Sequence, residues 1–477
     1  MSIARNTVYN FLGRATPLLL ALLTVPLYLR YIGEDRYGVL SIVWLFAGYF
    51  SVLELGLSRA SAYHLSIQHK ESIKDKSTTL WTALTINLFL GTIGAGILYV
   101  SARWAFTVFF HMQAHLRADV LHNLLWIALS LPLSTFSAVL YGALESRELF
   151  SYMNWIGALT SAATQLLPLS VAIWVSPSLN DLIPTVVLAR AVGVLLLGWY
   201  VWNLLPLCLC KPLDWKKAKD LLSYGGWISV SSLISPLLST LDRMWIGAVL
   251  GVKYVTYYTV PSNISQGASI IPGSLVSSMF PVWSKMTEQD SMSLAERSTR
   301  VLIEVFTPII ITGIVILHIF LRYWISPEFA NHSALVGMII LMGVWINGLA
   351  YVPYNLLQAR GRPDIPAKLH VIELPFFLIA LWLGLHYFGL WGAAVAWSAR
   401  VAADALLLYY VAKIKKHISV WGPATLGVCV SFFLAPTTIY SEKTICAVLF
   451  LAAYWAWSFK NSQELQKIWS GILLKLK

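Results

Sequence analysis

Apolar residues occupy this chain in long runs, and polar residues come in short clusters between them. A run of about 20 apolar residues, wound as a helix, crosses the ~30 Å hydrocarbon core of a bilayer. Turn residues and charge clusters divide the chain into fourteen predicted spans: 7–31, 37–57, 78–103, 121–144, 150–175, 182–206, 221–250, 256–284, 298–325, 333–358, 366–387, 390–412, 420–438 and 443–459. The first, Thr7 to Tyr31, is too long for a signal-peptide core and lacks a small-residue cleavage site, so it is expected to be retained. No interval between spans is long enough for a soluble domain. The pattern predicts an all-α, polytopic membrane protein.

Composition agrees: 58% of residues are hydrophobic and 12% charged, against about 25% charged in a typical soluble domain. In a soluble protein the excess of 34 Lys and Arg over 22 Asp and Glu would suggest a nucleic-acid partner. Here the distribution argues against one. With the N-terminus and the even-numbered connections on one side of the membrane, 24 of the 34 basic residues lie there and seven lie opposite. The remaining three, Arg190, Arg243 and Arg400, fall within spans. The positive-inside rule then puts both termini in the cytoplasm. The four cysteines, Cys208, Cys210, Cys429 and Cys446, lie in or beside apolar runs and read as small core residues.

The chain also resembles itself at a separation of 210–220 residues. RYIGEDRYGVL (30–40) matches AVLGVKYVTYY (248–258), and Pro132 in the fourth span recurs as Pro353 in the tenth. LARAVGVLLLGWYVW (188–202) matches SARVAADALLLYYVA (398–412), which aligns Arg190 with Arg400. Three matches in order predict two six-helix lobes of like topology, 1–206 and 221–413, followed by two further helices over 414–460. The basic linker 207–220 and the tail 461–477 read as amphipathic helices on the cytoplasmic surface, anchored to anionic headgroups.

Two stretches carry a family resemblance: NFLGRATPLLLALLTVPLYLRYIGEDRYGVLSIVWLFAGYFSVLELGLSRA (10–60) and SYGGWISVSSLISPLLSTLDRMWIGAVLGVKYVTYYTVPSNI (223–264). The chain resembles the polysaccharide transport (O-antigen flippase) family of the multidrug/oligosaccharidyl-lipid/polysaccharide exporter superfamily. That resemblance implies a V-shaped, two-lobed transporter in a bacterial or archaeal cytoplasmic (inner) membrane. By alternating access it would move a polyprenyl-pyrophosphate-linked oligosaccharide repeat unit to the outer leaflet for surface polysaccharide assembly. It also implies that helices thirteen and fourteen border a groove for the lipid tail. Expected partners are the lipid-linked glycan and membrane lipids, with a glycan polymerase and chain-length proteins as candidates.

Such a substrate has a charged, polar head, which hydrocarbon rejects unless the charge is compensated. Guanidinium groups suit phosphate oxygens through paired donors. The candidate substrate contacts are Arg14, Arg190 and Arg400, with Asn10 one turn before Arg14 on the same face. Asn263 and Asn355 are candidates for sugar hydroxyls. Asp404, four residues after Arg400, can pair with it on one helix face and lower the cost of burial. Asp242 and Arg243, which point about 100° apart on a helix, are candidates for a gate or for ion coupling, as are Glu54, Arg59 and Asp404. Glu304, His318 and Glu373 read as lone ionisable residues, His318 in a structural role.

The chain has no Gly-rich loop ending in Gly-Lys-Ser/Thr, no His-Glu-x-x-His and no His/Cys cluster. It therefore reads as a transporter without enzymatic chemistry, metal or cofactor, driven by an ion gradient or the membrane potential, with the ion unspecified. The alternatives are export of drugs or other amphiphiles by a cousin of the superfamily, and a membrane-embedded glycan polymerase or glycosyltransferase. Short outer connections, such as that at Gly389, argue against the polymerase.

Overall fold

The computed structural model describes residues 3–50, 61, 65, 72–147, 149–205, 208, 213–215, 217–219, 238, 240–283, 286–414, 418–436, 442–461 and 466. The described residues are helical and contain no strand. The first helix, α1 (Ile3–Phe50), is two limbs joined at Gly33, where φ is 79°. Near the other end a 49-residue helix (Asp364–Ala412) is broken in the same way at Gly389, with φ of 61°. Unbroken, a helix of that length would run about 73 Å, more than twice the hydrocarbon thickness. Glycine supplies the left-handed φ at each break without a Cβ penalty. The predicted span pairs 7–31/37–57 and 366–387/390–412 meet at these two residues.

Between the two bent helices run α2 (Ile73–Trp104), extended by a π turn over Ala105–Phe109, and α3 (Ala114–His122). Next come α4 (Leu124–Glu145), α5 (Phe150–Trp174) and α6 (Leu179–Leu204). Residues 240–249 form α7, and α8 (Val252–Gly267) follows a turn at Gly251, where φ is 102°. The chain continues through α9 (Ile270–Trp283), α10 (Glu288–Trp324) and α11 (Pro327–Ala359). The bent helix Asp364–Ala412 is α12, followed by α13 (Ile418–Leu434) and α14 (Glu442–Asn461). Among the described residues seven helices are long and apolar enough to cross a membrane. On α2 the side chains of Phe89, Ile93, Ile97, Val100 and Trp104 are 46–68% exposed at helical spacing along one face. A continuous bare apolar face of this kind is suited to lipid, not water.

The described residues cluster into two compact units, Met1–Thr256 and Tyr257–Lys477. In the first unit α2 lies along α4, α1 along α5, and α6 against both α4 and α5. Its core joins Leu80 and Leu84 of α2, Val139 and Leu144 of α4, and Leu197 and Val201 of α6. Residues 240–249 and the first turn of α8, expected to open the second lobe, pack in this unit. There the His111 amide donates to the Gly247 carbonyl at 3.2 Å, the Val252 amide donates to the His111 carbonyl at 3.3 Å, and His111 Nδ1 meets the Ala248 carbonyl. The linker is docked on the start of α2: the Cys208 amide donates to Ser77 Oγ (2.9 Å), the Asp214 amide to Thr82 Oγ1 (3.1 Å), and Lys217 Nζ to the Asp75 carbonyl (2.6 Å). Trp215 beside them is 80% exposed. Cys208, Cys429 and Cys446 are free thiols. Cys210 and nearly all of the tail lie outside the described residues.

In the second unit α11 is the central helix, packed by α9, α10 and α12. The indole of Trp345 donates to Thr307 Oγ1 at 3.0 Å and the Tyr409 hydroxyl to the Leu349 carbonyl at 2.9 Å, so α10, α11 and α12 are tied by buried polar bonds as well as by apolar contact. The two C-terminal helices dock on α10: Trp455 Nε1 donates to Thr312 Oγ1 at 3.0 Å and Ser458 Oγ to the Glu304 carbonyl at 3.2 Å.

Candidate functional site

Each compact unit places one of the aligned arginines in its interior. In the first unit Arg190, on α6, donates from Nη1 to Ser134 Oγ of α4 at 3.0 Å. It lines a small recess whose polar lining is Arg190 and Ser130, with Trp44 and Leu40 from α1 forming part of the apolar wall. Proline interrupts both helices nearby, at Pro132 of α4 and Pro184 of α6. Proline removes a backbone N–H and distorts the ladder, which serines and neighbouring helices can re-satisfy inside a membrane. Among the described residues no carboxylate lies within 4.0 Å of this guanidinium. Arg190 therefore keeps a positive charge beside a hydroxyl-containing recess.

In the second unit the repeat counterpart has acidic company. Arg400 Nη1 lies 3.6 Å from Glu373 Oε2, and its guanidinium sits over the Phe377 ring, 5.5 Å from the centroid. Asp404 Oδ1 lies 3.7 Å from His370 Nε2. The expected pairing of Arg400 with Asp404 along one helix thus gives way to pairing across the α12 hairpin. The limbs come together because Gly384 and Gly392 face each other: a Cβ on Gly392 would lie 2.1 Å from the Gly384 carbonyl oxygen. Close backbone approach through small residues is how membrane helices gain packing energy. Glu373, read from the sequence as isolated, is one member of this set, and His370 was not singled out at all. Folding the chain about residues 387–388 sets 370 near 404 and 373 near 400, and that reflection was the signal available.

The other sequence candidates are dispersed. Asp242 is buried on α7 and its Oδ1 accepts the Arg243 amide at 2.8 Å, while Arg243 lies near Tyr37 of α1. Asn355 Nδ2 donates to the Tyr351 carbonyl one turn earlier at 2.8 Å, a local helix contact, and Asn263 is exposed on α8. Arg14 and Asn10 fall on the first limb of α1, with side chains outside the described residues, and Glu54 and Arg59 lie outside them altogether. One contact escaped the sequence reading: Lys253 Nζ lies 3.1 Å from Glu34 Oε2, and Thr256 Oγ1 donates to the Glu34 carbonyl at 2.7 Å. Glu34 directly follows Gly33 and Lys253 lies two residues after the aligned Gly251, and Gly38 is backed against the Val252 carbonyl with no room for a Cβ.

An all-helical chain with bare apolar faces, two glycine-broken double spans and ionisable groups held inside its helix bundles defines a multi-pass membrane transporter. The comparisons agree. A family model described as "Polysaccharide biosynthesis protein" matches residues 3–287, more than half of the chain, and the protein belongs to that family. A Shigella flexneri relative described as "Putative O-antigen transporter" is 26% identical over 415 residues, 86% of this chain and 98% of the relative. Among solved structures, the lipid II flippase MurJ in an inward closed conformation superposes with a TM-score of 0.71 at 14% identity, covering 96% of this chain and 98% of that one. An inward-facing multidrug resistance MATE family transporter of the MOP superfamily superposes with a TM-score of 0.67 at 11% identity, covering 88% and 96%. At those identities the superpositions establish the fold.

Proposed function

We propose that the protein is a flippase that carries a polyprenyl-pyrophosphate-linked oligosaccharide repeat unit from the cytoplasmic to the outer leaflet of the inner membrane. It works by alternating access between lobes 1–206 and 221–413, has both termini in the cytoplasm, and is driven by an ion gradient or the membrane potential. The observation that carries this reading is Arg190, a guanidinium at a cavity with serine hydroxyls around it and no described carboxylate to neutralise it. A buried cation of that kind is costly unless an anion arrives to pair with it. A pyrophosphate offers the matching oxygens, hydroxyls such as that of Ser130 suit a polar head, and the Trp44 face is available to a sugar ring. The polyprenyl tail needs no cavity, because it stays in lipid along the apolar outer faces. Family membership and the names carried by the Shigella relative and by MurJ support the same substrate class. Membrane lipids are then standing partners, and a glycan polymerase with its chain-length proteins would take the product.

The test is Arg190→Ala in cells that depend on this chain for surface glycan. A charge-assisted phosphate contact is worth about 1.5–3 kcal/mol, so surface glycan should fall at least about tenfold. Lipid-linked repeat units should accumulate, detected by mass spectrometry, while the variant inserts normally. Arg190→Lys should recover part of the loss, since it keeps the charge and loses the paired donors. Unchanged surface glycan in an inserted Arg190→Ala variant would overturn the assignment.

A further inference from the structure

The α12 hairpin buries four ionisable side chains where its limbs lie side by side: His370 and Glu373 on the first limb, Arg400 and Asp404 on the second. Glu373 and Asp404 are only 6% and 5% exposed. Their carboxyl groups face each other closely enough to interact directly. Neither Glu373 oxygen has a hydrogen bond of ordinary geometry among the described residues. The helix packed along α12 is α11, which brings Tyr354, stacked on the His370 ring at 6.1 Å, and Gln358, bonded to the Tyr354 hydroxyl. Phe377 closes the set beneath Arg400.

The charges do not balance. With a neutral imidazole, one guanidinium faces two carboxylates, and the cluster carries a net charge of minus one in a largely buried stretch of the hairpin. An uncompensated buried charge costs several kcal/mol, and two carboxylates side by side resist ionising together. One proton removes both problems. A metal ion fits less well: among the described residues no three His, Cys, Asp or Glu side chains converge on a cation position, and the Arg400 guanidinium already stands against Glu373.

We infer that the Glu373 and Asp404 carboxyl pair, reached through His370, is the proton-binding site that couples the transport cycle to a proton gradient. This deepens the flippase reading above and rests on it for the word transport. In the loaded form one proton is shared between the two carboxyl oxygens, and Arg400 balances the remaining negative charge. On unloading, the proton passes from the pair to Nε2 of His370, and the transient imidazolium gives up its Nδ1 proton to water. His370 is suited to that relay because its side chain, 16% exposed, is the most open of the four. The unloaded hairpin carries its net negative charge until it is rehydrated, so loss of the proton favours a conformation that admits water. That difference between two states is what a coupling ion must supply.

The full chain, reconstituted in lipid vesicles, is titrated by infrared difference spectroscopy. The wild type should show a protonated-carboxyl C=O band that disappears at alkaline pH. Either Glu373→Gln or Asp404→Asn should abolish it, because the remaining carboxylate then has Arg400 to itself, while Glu373→Asp should keep it. A wild type without the band overturns the proposal, as does a band intact in the two amide variants; since the wild-type spectrum can refute it alone, a variant that fails to insert does not shelter it. In cells, glycan export should fall when the pH gradient is collapsed and be indifferent to sodium removal; export that follows sodium also overturns it. If deleting the chain strands no lipid-linked glycan, the flippase reading fails while the infrared result still decides whether the proton site exists.

Discussion

Replacing Arg400 with Met removes the counter-charge of Glu373 while keeping most of the side-chain volume over Phe377. At the 3.6 Å separation of the pair, an effective dielectric constant near 20 puts the gross attraction at about 5 kcal/mol. The net loss is smaller, because the orphaned carboxylate can escape by taking up a proton. For a carboxyl that ionises near pH 4.3 in the unfolded chain, uptake from about pH 7 costs about 4 kcal/mol, and from about pH 5.5 about 2 kcal/mol. The folded variant then binds one proton more than the folded wild type, so its stability relative to the wild type falls as pH rises and recovers as pH falls. The assay is equilibrium unfolding in mixed micelles with SDS for the wild type, Arg400→Met, Glu373→Gln and the double variant. We expect Arg400→Met to lose about 4 kcal/mol near pH 7 and about half that near pH 5.5, with the double variant regaining about 2 kcal/mol over the single. A coupling energy below about 0.5 kcal/mol, or a loss that does not change with pH, would refute the argument that these two side chains compensate each other.

Two other substitutions probe the backbone and the Gly33 end of the molecule. Gly392→Ala sets a Cβ 2.1 Å from the Gly384 carbonyl oxygen, where ordinary contact begins at 3.4 Å. The limbs must open, at about 1–3 kcal/mol by the same unfolding assay; an unchanged midpoint counts against the close hairpin. The Glu34 and Lys253 pair is partly exposed, with side chains 21% and 42% accessible, so breaking it should cost under about 1 kcal/mol of stability. Lys253→Glu should still lower surface glycan, since like charges would then oppose each other, and the exchanged pair Glu34→Lys with Lys253→Glu should restore it. Failure of the exchange to rescue would show that the contact has no part in the cycle.

Much of this architecture was legible because a bilayer admits so few solutions. Apolar run length alone marked where helices cross, and the glycines at 33, 251 and 389, each with positive φ, stand at turns between predicted spans. The alignment of Arg190 with Arg400 proved to join two interior positions, yet their surroundings differ, serine in one unit and carboxylates in the other. That difference was not legible, because hydroxyls recur on every span and give no signal by spacing. Arg400 was matched to Asp404 by counting along one helix, although the nearer neighbours come from the limb folded against it. Helical spacing describes a single cylinder; partners across a hairpin require the turn to be located first. Glu34 and Lys253 lie further apart still in sequence, and only the folded first unit brings them together.

The bond from Arg190 to the Ser134 hydroxyl has one more consequence. A hydroxyl orients the guanidinium without spending its charge, and no ordinary pH discharges an arginine. A positively charged amphiphile approaching to about 4 Å would meet repulsion of about 4 kcal/mol at an effective dielectric constant near 20, roughly a thousandfold discrimination. On the flippase reading proposed above, the recess would sort visitors by sign before shape matters, with a single residue set against cationic cargo.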